Sequence, residues 1–422
     1  MSKKRVGVFF LEPILDSVPS ICNMITLLAR DGCLVDVFVF SSPEYPLPIF
    51  DEPTVTVRVL KLDVALRQRL SPASSGNPIP SSSGSTQQST ASRLRAALVA
   101  FTKSSLNLLT LLTILRLHFQ APFQYFIGVE PAGLVRVDLH SRILGVPLIY
   151  YSLELLLSSE LSDVERPLKQ REQKSSQRAW RILIQDADRA KLLAEDNNLP
   201  LERFVMIPNA PLGPAQFARQ RYWHEKFGLP PETKILLYAG GIWLGTGIDE
   251  IVSSAAQLPD GWVLVVHTRS SSETSTQIQQ LRASATPGKV LFSLTPVTRK
   301  EYDDLVSSAD IGIAFYVPIP GFSTLQSNLS TLGLSSGKVA YYLRAGLPVI
   351  VNNATSIADF VRDFEIGATV ESGADIAGAV ERIMQRYDIL SQSAREVFAS
   401  QLDFENSFRD FLKEMRELGR HC

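Results

Sequence analysis

The sequence predicts two tandem α/β domains, each an open parallel sheet covered by helices. Three observations carry this: the 422-residue length, short apolar runs that alternate with helical periodicity, and a two-proline break at Pro208-Asn209-Ala210-Pro211. One hydrophobic core rarely grows past about 250 to 300 residues, so a chain this long is expected to divide. Strands composed almost wholly of Val, Ile, Leu and Phe suit a sheet buried on both faces, with the intervening helices as its cover.

The first domain opens as βαβ. Arg5–Phe10 and 34–40 read as strands around a helix at 18–30, where Ile21, Met24, Ile25, Leu28 and Ala29 recur at helical spacing. A third strand is expected at 54–62. Residues 71–92 are Ser, Pro, Gly, Gln and Thr with almost nothing to bury, which predicts a mobile insertion. The segment 93–120 reads as a long helix with an uncharged, Leu-rich middle at 106–115 and Arg93, Arg95, Lys103, Arg116 and His118 around it. A run of about 10 to 14 apolar residues is too short to span a bilayer. A buried core helix is the favoured reading, and a basic helix lying in a membrane interface is the other.

The alternation resumes through strands at 125–129, 147–152, 181–185 and 204–207. Proline fixes φ and cannot continue a helix or central strand, so the two prolines of 208–211 set a rigid boundary at residue 209. A second αβ series runs from Lys234 to Tyr387, giving a domain over 210–390. Residues 391–422 form a helical segment expected to pack back on the first domain. Ligands of such sheets sit beyond the carboxyl ends of the strands, so two facing domains imply one cleft.

With 42 Lys plus Arg against 43 Asp plus Glu, no global field recommends nucleic acid as a partner. Cys22, Cys33 and Cys422 lack ligand-like spacing, which points to a reducing compartment and to neither a disulfide framework nor a zinc site. The start MSKKRVGVFF has no h-region with a cleavage site, so the chain is expected in the cytoplasm, at the inner face of the membrane if 93–120 docks there.

Two segments carry candidate chemistry. Tyr238-Ala239-Gly240-Gly241 runs a strand into paired glycines ahead of a helix beginning near Gly247. Such glycines let backbone approach a phosphate at a helix N-terminus, or they form a plain tight turn. Ser335-Ser336-Gly337-Lys338 places small residues and a cation at the start of a helix that stops at Gly346. There too a solvated lysine is the alternative.

These segments resemble the GT-B glycosyltransferases, most closely glycosyltransferase family 4. Its C-terminal domain has a strand ending in Gly-Gly and a later Lys-x-x-Glu-Tyr-x-x-x-Gly-x-Pro-Val, matched here by Gly240-Gly241 and by Lys338 to Val349. Ile207-Pro208-Asn209 and Ala309-Asp310-Ile311-Gly312 also match the family's pattern. The resemblance implies two Rossmann-like domains facing across a cleft and a UDP- or GDP-linked sugar as donor substrate, with no other cofactor. It further implies a glycan or lipid-linked acceptor, and transfer that is metal-independent and retains configuration. It departs from the family at three positions: Thr246 stands for the usual lysine, and Gly333 and Tyr341 stand where two glutamates, with seven residues between them, are expected.

The resemblance therefore assigns the cationic role to Lys338 and Arg269, with Gly240, Gly241, Thr268, Ser335, Ser336 and Gly337 at the nucleotide. Tyr341 would contact the nucleoside, and the loop 294–298 with Val297 would lie at the base. Glu154 would act on the acceptor hydroxyl, or serve only as a helix-start carboxylate. For His267, at a strand end near the cleft, a satisfied core histidine is favoured over a minor contact role. The alternatives to transfer are a GT-B scaffold that binds without turnover, or another GT-B reaction such as sugar-nucleotide epimerisation.

Overall fold

The computed structural model describes residues 4–42, 47–60, 108–269, 273–319, 326–353 and 356–421. The expected insertion at 71–92 and the 93–107 part of the basic helix lie outside the described residues. By compactness the chain forms one unit of Met1–Tyr151 with Arg178–Trp180, and another of Ser152–Gln177 with Arg181–Cys422.

The thirteen described strands form two parallel sheets. The first contains β1 (Arg5–Phe10), β2 (Leu34–Val39), β3 (Val55–Val59), β4 (Phe123–Val129), β5 (Leu148–Tyr151), β6 (Arg181–Ile184) and β7 (Phe204–Met206), in the order β3-β2-β1-β4-β5-β6-β7. The second contains β8 (Lys234–Ala239), β9 (Trp262–His267), β10 (Val290–Ser293), β11 (Ile311–Ala314), β12 (Val349–Asn352) and β13 (Gly367–Val370), ordered β10-β9-β8-β11-β12-β13. Each sheet thus has a point where the winding direction reverses, at β1/β4 and at β8/β11. In open α/β sheets the crevice outside the strand ends at such a point is where ligands bind.

In the first unit β1 is wholly buried, and the helix Pro19–Arg30 covers the sheet with nearly every residue buried. Proline at the start of that helix lacks only an N–H that would have had no helical acceptor. Residues 108–120 are helical, as expected, yet the core reading holds for one face only. Thr110, Ile114 and Leu117 are buried, whereas Leu108, Leu109, Leu112 and Phe119 are exposed. Among the described residues no helix is long and apolar enough to cross a membrane.

In the second unit the helix Gly337–Arg344 is fixed against β8 and β11 by one tyrosine. The Tyr342 ring lies against Gly312 of β11, where an added Cβ would stand 2.3 Å from the ring. Its hydroxyl accepts the Ala239 N–H at 2.8 Å, at the end of β8. The two C-terminal helices, Tyr387–Gln401 and Phe404–His421, pack in the same unit. Arg395 of the first donates to the Gln216 carbonyl at 2.9 Å, and Glu414 of the second pairs with Arg181 on β6 at 2.9 Å.

Replacing Tyr342 by Phe keeps the ring but leaves the buried Ala239 N–H without its acceptor. Unfolding in urea should show a loss of about 1 to 3 kcal/mol. An unchanged midpoint and slope would mean that this hydrogen bond does not hold the helix to β8.

Candidate functional site

The apolar run of β8 ends at Ala239, and Gly240 extends the ladder by donating its N–H to the His267 carbonyl at 3.0 Å. A Cβ on Gly240 would stand 2.9 Å from Lys338 Cε, so the glycine makes room for the lysine chain. Lys338 Nζ lies 4.2 Å from the centroid of the Tyr238 ring and 5.5 Å from that of Tyr316. Two ring faces hold the cation by cation–π attraction. Half-burial pulls the Lys338 ammonium below its usual range, and Tyr316 partly opposes this. Among the described residues no carboxylate pairs with it.

Both tyrosines are themselves anchored. Tyr238 donates its hydroxyl to the Gly241 carbonyl at 2.6 Å. The Tyr316 N–H donates to Asn352 Oδ1 at 2.8 Å while Asn352 Nδ2 donates to the Tyr316 carbonyl at 2.8 Å. Gly241 is open on its side-chain side, the nearest atom to an added Cβ being Trp243 Cδ1 at 3.9 Å. The two glycines therefore differ: Gly240 is filled from within the protein, and Gly241 leaves free space.

Thr246 is buried and donates its hydroxyl to the Trp243 carbonyl at 2.6 Å, so no cation substitutes at that position. Gly247 follows with φ +56° and would place a Cβ 3.0 Å from Phe315 Cβ, which requires glycine.

The loop before Lys338 is more internally committed than its composition suggests. Ser336 caps the helix by accepting the Val339 N–H at 3.2 Å, and its Oγ also shares a 2.5 Å hydrogen bond with the Tyr316 hydroxyl. Ser335 donates its hydroxyl to the Leu332 carbonyl, receives Arg189 Nη1 at 3.2 Å, and offers its carbonyl to Asn209 Nδ2 at 3.0 Å. Gly337 faces that same Asn209 amide, 3.3 Å from where its Cβ would be. The first N–H groups of the helix, at Gly337 and Lys338, have no helical carbonyl to bond.

At β9, His267 and Thr268 are buried, and Arg269 follows, half-buried. His267 Nδ1 lies 3.1 Å from Ser293 Oγ, which also accepts from Lys226 Nζ at 2.9 Å. Burial and the Lys226 ammonium push the His267 imidazole down to about 4, so it is neutral at physiological pH. His267 is buried as the sequence favoured, but its Nε2 has no hydrogen-bond partner among the described residues. Tyr341 stands edge-on to Tyr302 with centroids 4.8 Å apart. Val297 is half-buried in the loop between β10 and the helix Arg299–Ser307.

Glu154 lies three residues beyond β5 with its side chain 71% exposed, 3.8 Å from the Arg189 guanidinium. Arg189 is buried and donates to the Leu153 carbonyl and to Asn328 Oδ1, both at 2.7 Å. Asn328 in turn accepts the Leu155 N–H at 2.7 Å and donates to the Leu155 carbonyl at 2.9 Å. Arg189 and Asn328 thus hold 153–155 against 328 and 335, while Asn209 bonds the 334–335 backbone, and none of the three was read as a site residue from the sequence. An arginine in a polar helix reads as solvated, and only the helix-start Asp186 ahead of it was a visible signal. Among the described residues no group of three or more His, Cys, Asp or Glu side chains could hold a metal ion.

Residues 333–403 match the family described as "Glucosyltransferase 3-like, C-terminal domain". No curated protein matches the chain. Among solved structures, sucrose-phosphate synthase from Thermosynechococcus elongatus superposes with a TM-score of 0.69 at 15% identity, over 100% of both chains. HepE from Anabaena, solved with UDP and glucose, gives 0.65 at 12% identity over 98% of this chain and 100% of that one. WaaG, a glycosyltransferase involved in lipopolysaccharide biosynthesis, gives 0.60 at 14% identity over 96% and 98%. The chain has the GT-B fold.

Proposed function

We propose that this GT-B chain is a glycosyltransferase that moves a sugar from a UDP- or GDP-linked donor to a hydroxyl of a glycan or lipid-linked acceptor. In that reaction the bond from the anomeric carbon to the diphosphate oxygen breaks, a bond to the acceptor oxygen forms, and the hydroxyl proton is lost. The departing diphosphate gains negative charge, which a cation and N–H donors already in place would stabilise. The observation that carries the reading is Lys338, held by Tyr238 and Tyr316 over Gly240 at the β8/β11 reversal, next to the opening N–H groups of its own helix. The UDP complex of HepE, on the same fold, supports a nucleotide donor here.

In this reading residues 1–209 serve the acceptor and 210–390 the donor. Arg269 is a second cation for the diphosphate, Gly241 gives close backbone approach, and Tyr341 beside Tyr302 offers a ring edge to the nucleoside. Glu154, exposed and near Arg189, is the candidate to take the acceptor proton. Transfer is metal-independent and retaining, and the product belongs to a cell-surface polysaccharide or glycoconjugate. The absence of carboxylates at Gly333 and Tyr341 favours a second reading, a scaffold that binds nucleotide without turnover.

Thermal unfolding with UDP, GDP and their sugars tests the donor site. A ligand that binds only the folded state at 100 times its dissociation constant should stabilise it by about 2.7 kcal/mol. The transferase reading expects at least one nucleotide to raise the midpoint and its sugar to be consumed when acceptor is supplied. No shift across the panel would refute both readings, and a shift without consumption would favour the scaffold.

The exposed Leu108, Leu109, Leu112 and Phe119, with Arg116 on the same short helix, suit peripheral contact with the inner face of the cytoplasmic membrane. Flotation with anionic liposomes should carry wild type upward and leave a Leu109→Glu, Leu112→Glu variant in the soluble fraction. Equal behaviour of the two would contradict the contact.

A further inference from the structure

Of the four tryptophans in the chain, Trp223 and Trp262 are buried and Trp180 is partly so, whereas Trp243 is 42% exposed. It stands on the loop 240–247 that leaves β8 at the β8/β11 reversal, two residues beyond Gly241. A single apolar residue on a surface is ordinary. This loop, however, is built to hold the exposed ring still. The Trp243 carbonyl accepts both the Thr246 N–H at 3.0 Å and the Thr246 hydroxyl at 2.6 Å. The buried residue that stands where the resembled family has a lysine is thus spent on fixing the tryptophan backbone.

The indole is pinned at its two ends. A Cβ on Gly245 would overlap Cζ3 and Cη2, so the six-membered ring lies directly on that buried glycine. The Gly245 carbonyl is tied in turn to the Val317 N–H at 2.9 Å. At the other end Cδ1 lies 3.9 Å from where a Cβ on Gly241 would stand, so the five-membered ring borders the open space at that glycine. A rigid aromatic group that is already in place loses little freedom when a ligand settles on it.

We infer that Trp243 is a stacking platform for a pyranose ring of the acceptor, supplied by the domain that binds the donor. The inference rests on the transferase reading and deepens it. The apolar C–H face of a sugar ring suits an indole, which offers a broad apolar surface and a polar tip. A nucleobase does not fit the position, because the loop read as its site follows β10, two strands from β8 and roughly 10 Å away at ordinary strand spacing. The donor sugar is joined to the diphosphate and so belongs in the space over Gly241. Trp243 stands beyond that space on a loop open to solvent, with Leu244 beside it 72% exposed, on the side from which a second sugar arrives.

The test loads the whole chain with whichever of UDP and GDP binds it and probes an array of immobilised mono- to tetrasaccharides of glucose, galactose, mannose, rhamnose and N-acetylglucosamine. The tightest of these is then titrated free in solution. Trp243→Ala should lower that affinity about tenfold or more and Trp243→Phe should keep most of it, with affinities for UDP-glucose, UDP-galactose and GDP-mannose unchanged. Gly245→Ala, which displaces the ring but keeps it in the chain, should behave as Trp243→Ala does. The bound saccharide should also shield wild-type tryptophan fluorescence from iodide, and this shielding should vanish in Trp243→Phe. Equal saccharide affinities of wild type and Trp243→Ala would overturn the inference. So would a loss shared with or confined to the nucleotide sugars, and so would a wild type that binds a nucleotide sugar but no saccharide on the array. Failure of the wild type to bind any nucleotide would instead overturn the transferase reading, and this inference with it.

Discussion

The second unit depends on the contact between Tyr342 and β8. Because Gly312 has no side chain, the Tyr342 ring reaches between the helix Gly337–Arg344 and the sheet, and its hydroxyl accepts the last inward N–H of β8 at Ala239. That one bond sets the height of the helix relative to the strand. The height in turn decides that Lys338, at the start of the helix, lies across Gly240 and over the face of Tyr238. Sliding the helix along the sheet would leave Ala239 unpaired and move the cation off the strand end, so packing, hydrogen bonding and site geometry change together.

The architecture was readable because it rests on periodicity. Wholly apolar stretches such as Val263–Val266 can only be strands buried on both faces, and proline at 208 and 211 breaks the pattern where one series stops. The pairing of Gly240 with Lys338 was half readable. Each segment stood out by itself, but their contact joins residues almost a hundred positions apart and has no local signature. The tyrosines that hold the lysine were hidden, since Tyr238 in an apolar strand reads as core. The 108–120 helix shows the converse problem, because leucines on both sides of a helix do not reveal which side the fold covers.

The hydroxyls at 335 and 336 illustrate how composition overstates availability. Small polar residues before a helix suggest a phosphate cradle, yet these two side chains are spent on the cap, on Tyr316 and on Arg189. What stays open at the loop is backbone: the first N–H groups of the helix, beside a cation that no carboxylate neutralises among the described residues. Charge balance there is incomplete until an anion arrives.

The account makes Gly240 the residue that lets Lys338 lie where a diphosphate needs it. Calorimetric titration of UDP and GDP into wild type and Gly240→Ala tests this directly, because the added methyl would meet only the flexible end of the lysine chain, 2.9 Å away at Cε, and leave the sheet intact. The predicted result is an unchanged unfolding midpoint with affinity for the bound nucleotide lowered about tenfold or more, as for the loss of one charge-assisted contact. Equal affinity for the two proteins, with the fold preserved, would contradict it.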